Sequence, residues 1–266
     1  MYKVTDEQIS QFQQNGVVFL PGVFKEWVEP LRQAVTQAMD SPSPLERSYK
    51  PKDGSAPFFQ DLLTWKHIEP LRDFVLNSQA ARVAAEIMNS RTARFFHDHI
   101  LVKLPGTSLV TPWHQDQPYY SVRGSQSVSF WTPLDPVLQS VSLECVCGSH
   151  RWNEAGFRPR RFDGSRLYPN DDLTEMPDIE SQREHLQIAS YTLEPGDAIA
   201  FDFRTIHGAP GNTSTNPRRV VSTRWVGDDA RWVVRQGPTS PPLPHLSHIP
   251  DGAPFDAPDF PVVYSR

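Results

Sequence analysis

Cysteine is nearly missing from this sequence: the 266 residues hold two, Cys145 and Cys147. They stand two positions apart in a β-prone run, where a mutual disulfide would be strained, and two thiolates are too few for a cysteine-held metal. They read as free thiols, which excludes a disulfide scaffold. Long hydrophobic runs are also missing. No apolar stretch approaches roughly 18 residues and the mean hydropathy is −0.49, so there is no candidate for a membrane-spanning helix. Residues 1–6 lack the basic-then-apolar order of a secretory leader, and the expected setting is the cytoplasm. Nor is there an excess of basic charge. The 26 basic against 31 acidic residues give a net charge of −5 without any long block of one sign, which argues against a partner bound through nucleic-acid phosphates.

What the chain has in quantity is proline, 26 residues, and proline is poorly tolerated inside helices and central strands, so a loop-rich architecture is expected. The 38% hydrophobic and 21% charged residues are the composition of a folded globule, and the length suits one domain over 1–266. Thr5 followed by Gln8 fits a capping box, and Ile9 and Phe12 supply an apolar stripe for a helix that ends at Asn15-Gly16. Residues 17–20 form a short β-prone run. Phe24, Val28, Leu31 and Val35, and then Leu71, Phe74, Val75, Val83, Ala84, Ile87 and Met88, recur at helical spacing on either side of a proline-containing loop at 40–57. Residues 1–90 are thus expected to be a mostly helical flank.

From residue 92 the texture changes to short β-prone runs at 92–104, 113–120, 126–132, 141–146, 186–193, 198–203 and 218–226, with no helices alternating between them. This disfavours a parallel α/β sheet. It fits an antiparallel jelly roll, the cupin-like double-stranded β-helix, over 92–227. The 147–185 connection is long enough to be a functional lid, and 236–266 reads as an extended proline-rich tail.

Within the β region, Trp113-His114-Gln115-Asp116 places an imidazole and a carboxylate two apart, which on a strand puts both on one face. His207 follows the alternation Ile199, Phe201, Phe203, Thr205 and is expected to point inward with them. Two histidines and one carboxylate on a rigid frame occupy one face of an octahedron and leave three positions open, the arrangement of non-haem Fe(II) oxygenases. Arg218 lies eleven residues further on, sharing a strand face with Val220 and Ser222. A guanidinium facing an apolar interior needs an anion, and a dicarboxylate co-substrate would supply one in bidentate geometry.

Taken together, Trp113 to Tyr120, Glu194-Pro195-Gly196-Asp197, and His207-Gly208-Ala209-Pro210-Gly211-Asn212 through Arg218 resemble the phytanoyl-CoA dioxygenase family of Fe(II)/2-oxoglutarate oxygenases. The resemblance extends to the opening helix and so covers most of the chain to about residue 226. It implies a double-stranded β-helix core, His114, Asp116 and His207 on Fe(II), Arg218 on the distal carboxylate of 2-oxoglutarate, and O2 as second co-substrate. It adds His99 and Lys103 as further co-substrate contacts and Trp131 as a lining residue. Related halogenases vacate the carboxylate position for chloride; Asp116 fills it here. The expected reaction is therefore hydroxylation of an unactivated C–H of a small organic molecule, with release of succinate and CO2. Where the family often carries Asn-Gly before a small-residue strand and Pro-Gly-Ser-His after it, this chain has Val141-Ser142 and Cys147-Gly148-Ser149-His150.

Gln117 and Tyr120 are candidate substrate contacts, and Arg160 and Arg161, in an arginine-rich part of the 147–185 segment, are candidates to receive an anionic group. Two other readings were weighed: a non-catalytic jelly-roll binding protein, and a metal-dependent hydrolase using His97-x-His99, which lacks the remaining ligand pattern of such enzymes. The sequence leaves monomer and homodimer open.

Overall fold

Thr5 caps the first helix from both directions. Its Oγ1 accepts from the Gln8 N–H while the Gln8 side chain accepts from the Thr5 N–H, each at 3.1 Å. This helix, α1 (Asp6–Asn15), stops at Gly16, whose left-handed backbone (φ 71°) lets the cap N–H return to the Phe12 carbonyl. The computed structural model describes residues 2–162, 164–168 and 171–266. Three more helices follow: α2 (Val28–Asp40), α3 (Glu69–Asn77) and α4 (Ala80–Met88). The helical periodicity over 71–88 thus resolves into two helices, parted at Ser78, whose backbone is extended and whose Oγ accepts from the Ala80 N–H.

Thirteen strands are described: β1 (Val17–Leu20), β2 (Phe58–Leu62), β3 (Thr92–Lys103), β4 (Thr111–His114), β5 (Val122–Arg123), β6 (Ser127–Pro133), β7 (Glu144–Val146), β8 (Ile188–Ala189), β9 (Ala198–Phe201), β10 (His207–Ala209), β11 (Arg218–Val226), β12 (Arg231–Trp232) and β13 (Val262–Ser265). The large antiparallel sheet runs β1-β9-β6-β11-β3, and the long β3 then pairs β13 near its start and β2 near its end. A smaller sheet runs β4-β10-β7-β8, and β12-β5 form a separate ribbon. The fold is an antiparallel jelly roll with flanking helices.

Side-chain alternation divides the large sheet between two cores. Val128, Phe130, Ile100, Val102, Val221 and Trp225 face the helices. Trp131, Ile199, Phe201 and Val220 face the small sheet and meet Cys145 and Ala209 there. Each of these large side chains contributes roughly 2–3 kcal/mol by leaving water. Among the described residues, no helix is long and apolar enough to cross a membrane.

The structure corrects one sequence expectation and adds a strand to each of two others. The 113–120 run is not one strand: β4 ends at His114, and Gln117–Tyr119 form a 3-10 turn because Pro118 cannot donate to a ladder. β2 lies inside the expected helical flank. The tail does not merely lie over the domain, since β13 joins the sheet against β3.

Gly16 ties the helical flank to the turn before His207. Its carbonyl accepts from the Asp202 N–H at 2.9 Å and from Thr205 Oγ1 at 2.7 Å. A β-carbon there would stand 2.5 Å from Thr205 Oγ1 and closer still to His150 Nδ1, in a conformation that side chains disfavour. Gly16→Ala is expected to lower stability by about 2 kcal/mol, read as a lower urea midpoint at unchanged slope. An unchanged midpoint would contradict this packing.

Candidate active site

His114 and His207 meet because β4 and β10 pair with these two residues in register, ring centroids 4.2 Å apart. Asp116 reaches them by a different route from the one its spacing suggests. The chain leaves β4, and Asp116 sits in helical conformation (φ −74°, ψ −41°), held by its own N–H on the Phe203 carbonyl at 2.8 Å. Its Oδ1 lies 3.8 Å from His114 Nε2 and 3.9 Å from His207 Nε2.

The donor set fits a metal atom by atom. His114 Nδ1 is 2.7 Å from the Pro112 carbonyl and His207 Nδ1 is 2.9 Å from that of Thr205. A carbonyl can only accept, so each Nδ1 carries the proton and each Nε2 presents a lone pair. Burial, reinforced by His114, pulls His207 down to about 3, leaving the ring neutral at physiological pH. One ligand atom from each of His114, Asp116 and His207 can be chosen so that all lie within 4.8 Å of one another. Among the described residues no other group of three or more His, Cys, Asp or Glu does this, and the His97-x-His99 pair assembles no site.

The second carboxylate oxygen is occupied. Asp116 Oδ2 accepts from Ser129 Oγ at 3.3 Å and lies 3.6 Å from the guanidinium of Arg224, which is itself buried and gives its Nε–H to Tyr120 Oη at 2.7 Å. Burial alone would raise the Asp116 carboxyl; Arg224 and the two imidazoles outweigh it and hold the group well below the usual carboxylate range. Arg224 was not singled out in the sequence. The signal was available, because it continues the inward face Arg218, Val220, Ser222 of β11.

Arg218 stands at the far end of the same cavity, 5% exposed. It donates to the Val141 carbonyl and, at 3.3 Å, to that of Pro210, and its guanidinium lies 6.0 Å from the Trp131 ring centroid. Among the described residues it pairs with no carboxylate, and burial alone lowers it to about 10. Two carbonyls take up part of its five N–H groups without neutralising its charge, and a buried, uncompensated cation is a site for an anion.

The remaining candidates divide. His99 and Trp131 line the cavity. Lys103 also lines it, but Nζ is already surrounded by the carbonyls of Leu109, Ala209 and Pro210 and by Thr111 Oγ1 at 2.7–3.4 Å. No N–H is left for a direct co-substrate bond, and burial, with Arg218 beside it, pushes the ammonium down to about 6. Tyr120 lines the cavity with its hydroxyl accepting from Arg224 and hydrogen-bonded to Asp116. Gln117, on the 3-10 turn, is not among the residues lining this cavity; it borders a small gap beside Val122, Phe203 and Val226. Arg160 and Arg161 line the outer cavity. Arg160 gives Nη2 to Glu175 at 2.6 Å and Nη1 to the Gly164 carbonyl, and Arg161 gives Nη1 to the Arg166 carbonyl.

Arg224→Met is expected to loosen Asp116 and lower Fe(II) affinity on the order of 10- to 100-fold, the usual effect of removing a group that orients a ligand. Anaerobic equilibrium dialysis measures it; parent-like affinity would show that Arg224 does not orient the carboxylate.

The sequence profile described as phytanoyl-CoA dioxygenase (PhyH) matches residues 12–220. The multifunctional dioxygenase prhA of Penicillium brasilianum is 21% identical over 221 residues, covering 80% of this chain and 69% of that protein. A probable phytanoyl-CoA dioxygenase of Caenorhabditis elegans is 25% identical over 153 residues, covering 55% of this chain and 47% of that one. Among solved structures, the non-heme alpha ketoglutarate dependent carbocyclase SnoK from nogalamycin biosynthesis superposes with a TM-score of 0.75 at 22% identity, covering 98% of this chain and 96% of that chain. The epimerase SnoN in complex with Fe3+, alpha ketoglutarate and nogalamycin RO superposes with a TM-score of 0.75 at 18% identity, covering 97% and 98%. At these identities the two structures attest the fold, while the profile spans most of the sequence. The chain belongs to the phytanoyl-CoA dioxygenase family of Fe(II)/2-oxoglutarate-dependent oxygenases.

Proposed function

We propose that this oxygenase holds Fe(II) on His114, Asp116 and His207, binds the distal carboxylate of 2-oxoglutarate on Arg218, and hydroxylates an unactivated C–H of a small organic molecule. The observation that carries this reading is the pairing of a two-histidine, one-carboxylate set with a buried guanidinium that has no acid partner among the described residues. When bound, iron and 2-oxoglutarate supply the oxidising power drawn from O2: one oxygen atom enters succinate as CO2 leaves, and the other enters the substrate in place of hydrogen.

The residues of the chain do the positioning. His114 and His207 offer Nε2 atoms from opposing strands, fixed by the carbonyls behind their rings. Ser129 and Arg224 occupy Asp116 Oδ2, so one oxygen faces the metal position and the carboxylate takes up a single place there. Three places are then left for the co-substrate and O2. Arg218 orients 2-oxoglutarate through its far end, and Trp131 and Phe201 wall the space between. Because Asp116 occupies the carboxylate position, halogenation is disfavoured. The names of SnoK and SnoN record ring formation and epimerisation on this fold, so the product must be determined directly.

Arg218→Ala is expected to raise the 2-oxoglutarate Kd on the order of 100-fold or more while Fe(II) binding stays parent-like. Anaerobic titration followed by the visible charge-transfer band of the chelate reads the first and dialysis the second. Equal loss of both, or of neither, would overturn the assignment of Arg218. With substrate and 18O2, a hydroxylase places one labelled atom in succinate and one in the product; a product without label would overturn hydroxylation and leave the cofactor reading standing.

A further inference from the structure

The cavity is far larger than its co-substrate requires. Its volume of about 800 Å3 lies within the roughly 300–1,000 Å3 of clefts that enclose drug-sized ligands. The inner end is the iron and Arg218 region. The outer end is bounded by the 47–52 segment on one side, by residues 157–162 with Gly164 and Leu167 of the long connection on the other, and by residues 238–240 of the tail.

The charge of this lining is strongly one-sided in a protein whose net charge is −5. Asp116 is the one carboxylate among the described lining residues. The cations divide by what compensates them. Arg224 faces Asp116, while Lys103 and Arg218 belong to the co-substrate end. Arg158 and Arg160 are held by Glu175, which also receives Arg166, and Arg158 has Asp171 as well at 2.7 Å. Glu175 and Asp171 thus offset part of the charge of Arg158, Arg160 and Arg166, while Arg161 gives Nη1 to the Arg166 carbonyl. Arg47, Lys50 and Lys52 form a second group on the opposite side: they line the mouth, they are exposed, and among the described residues none makes an ion pair. The acids beside them are turned to backbone, Glu46 to the Ser48 N–H and Asp53 to the Ser55 N–H, each at 2.9 Å.

This basic segment is built into the fold. Tyr49 and Phe58 exchange two backbone hydrogen bonds of 2.9 Å, and the Arg47 N–H meets the Gln60 carbonyl, so the segment extends the pairing of β2. Tyr49 stacks on Phe162 across the mouth with centroids 4.2 Å apart. Phe58, Trp113, Phe157 and Met176 continue an apolar wall inward. A low-dielectric wall beneath an uncompensated cationic rim focuses the field and favours anionic ligands with apolar bodies.

We propose, building on the oxygenase reading, that the substrate is an anion with a bulky apolar body. Arg47, Lys50 and Lys52 receive its carboxylate, phosphate or sulfate group at the rim. The body lies along Tyr49, Phe162 and Trp113 toward the iron position. The charge that selects the substrate therefore comes from the 47–52 segment rather than from Arg160.

A matched pair of probes tests this: 8-anilino-1-naphthalenesulfonate, an anion on an aromatic body, and N-phenyl-1-naphthylamine, the same rings without charge. Both are titrated by fluorescence into the full chain with Zn(II) and 2-oxoglutarate filling the inner end. The expected result is that the sulfonate binds, that the triple variant R47Q/K50Q/K52Q weakens it about tenfold, and that the neutral probe keeps its Kd within about twofold. Phe162→Ala is expected to weaken both probes. No sulfonate binding, a parent-like sulfonate Kd in the triple variant, or equal loss of the two probes there would each overturn the rim as an anion site. Parent-like binding of both probes to Phe162→Ala would overturn the placement of the body. In every variant the anaerobic Fe(II) and 2-oxoglutarate band is recorded separately. A parent protein without that band would fail the oxygenase reading, whereas a band with failed probe binding would fail the substrate inference alone.

Discussion

Two guanidinium groups buried six residues apart on one strand set the terms for the rest of the site. Placing a cation in the interior costs several kcal/mol unless an anion faces it, and β11 does this twice, with Arg218 and Arg224. Arg224 meets its requirement inside the protein, on Asp116 and Tyr120. Arg218 does not, since the groups it touches are carbonyls and an aromatic face. The strand thus presents one cation compensated by Asp116 and one whose charge is left for an external anion.

The jelly roll is what makes this arrangement affordable. β11 pairs on both sides, with β3 and with β6, so alternate residues form a rigid row and the polar ones are aimed without freedom to relax. The opposite face carries Val221 and Trp225 into the helical core. Stability and site geometry therefore rest on the same strand, through residues of opposite parity. The small sheet makes the complementary contribution, because the in-register pairing of His114 with His207 fixes both imidazoles before any metal arrives.

Much of this was legible in the sequence. The two-residue periodicity of 218–226 placed Arg218 inward, and the motif order placed His114, Asp116 and His207 together. The route of Asp116 was not legible, because a His-x-Asp spacing reads equally as a strand face or as a strand end followed by a turn. Pro118 was the cue for the turn, on which Gln117 also lies. Arg224 was within reach of the alternation that found Arg218. The compensation of Arg158, Arg160 and Arg166 by Glu175 joins residues up to seventeen apart through a loop without periodicity, which no local pattern reports. The rim at 47–52 was hidden for a similar reason: a proline-containing loop gives no sign of pairing until β2 is seen beside it.

Anaerobic crystals soaked with Fe(II) and 2-oxoglutarate, with anomalous diffraction recorded on both sides of the iron edge, test the central claim most directly. The account predicts a single iron peak between His114 Nε2, His207 Nε2 and Asp116 Oδ1, with 2-oxoglutarate density running from that peak to Arg218. An iron peak away from these three atoms, or co-substrate density that leaves Arg218 unpaired, would contradict it.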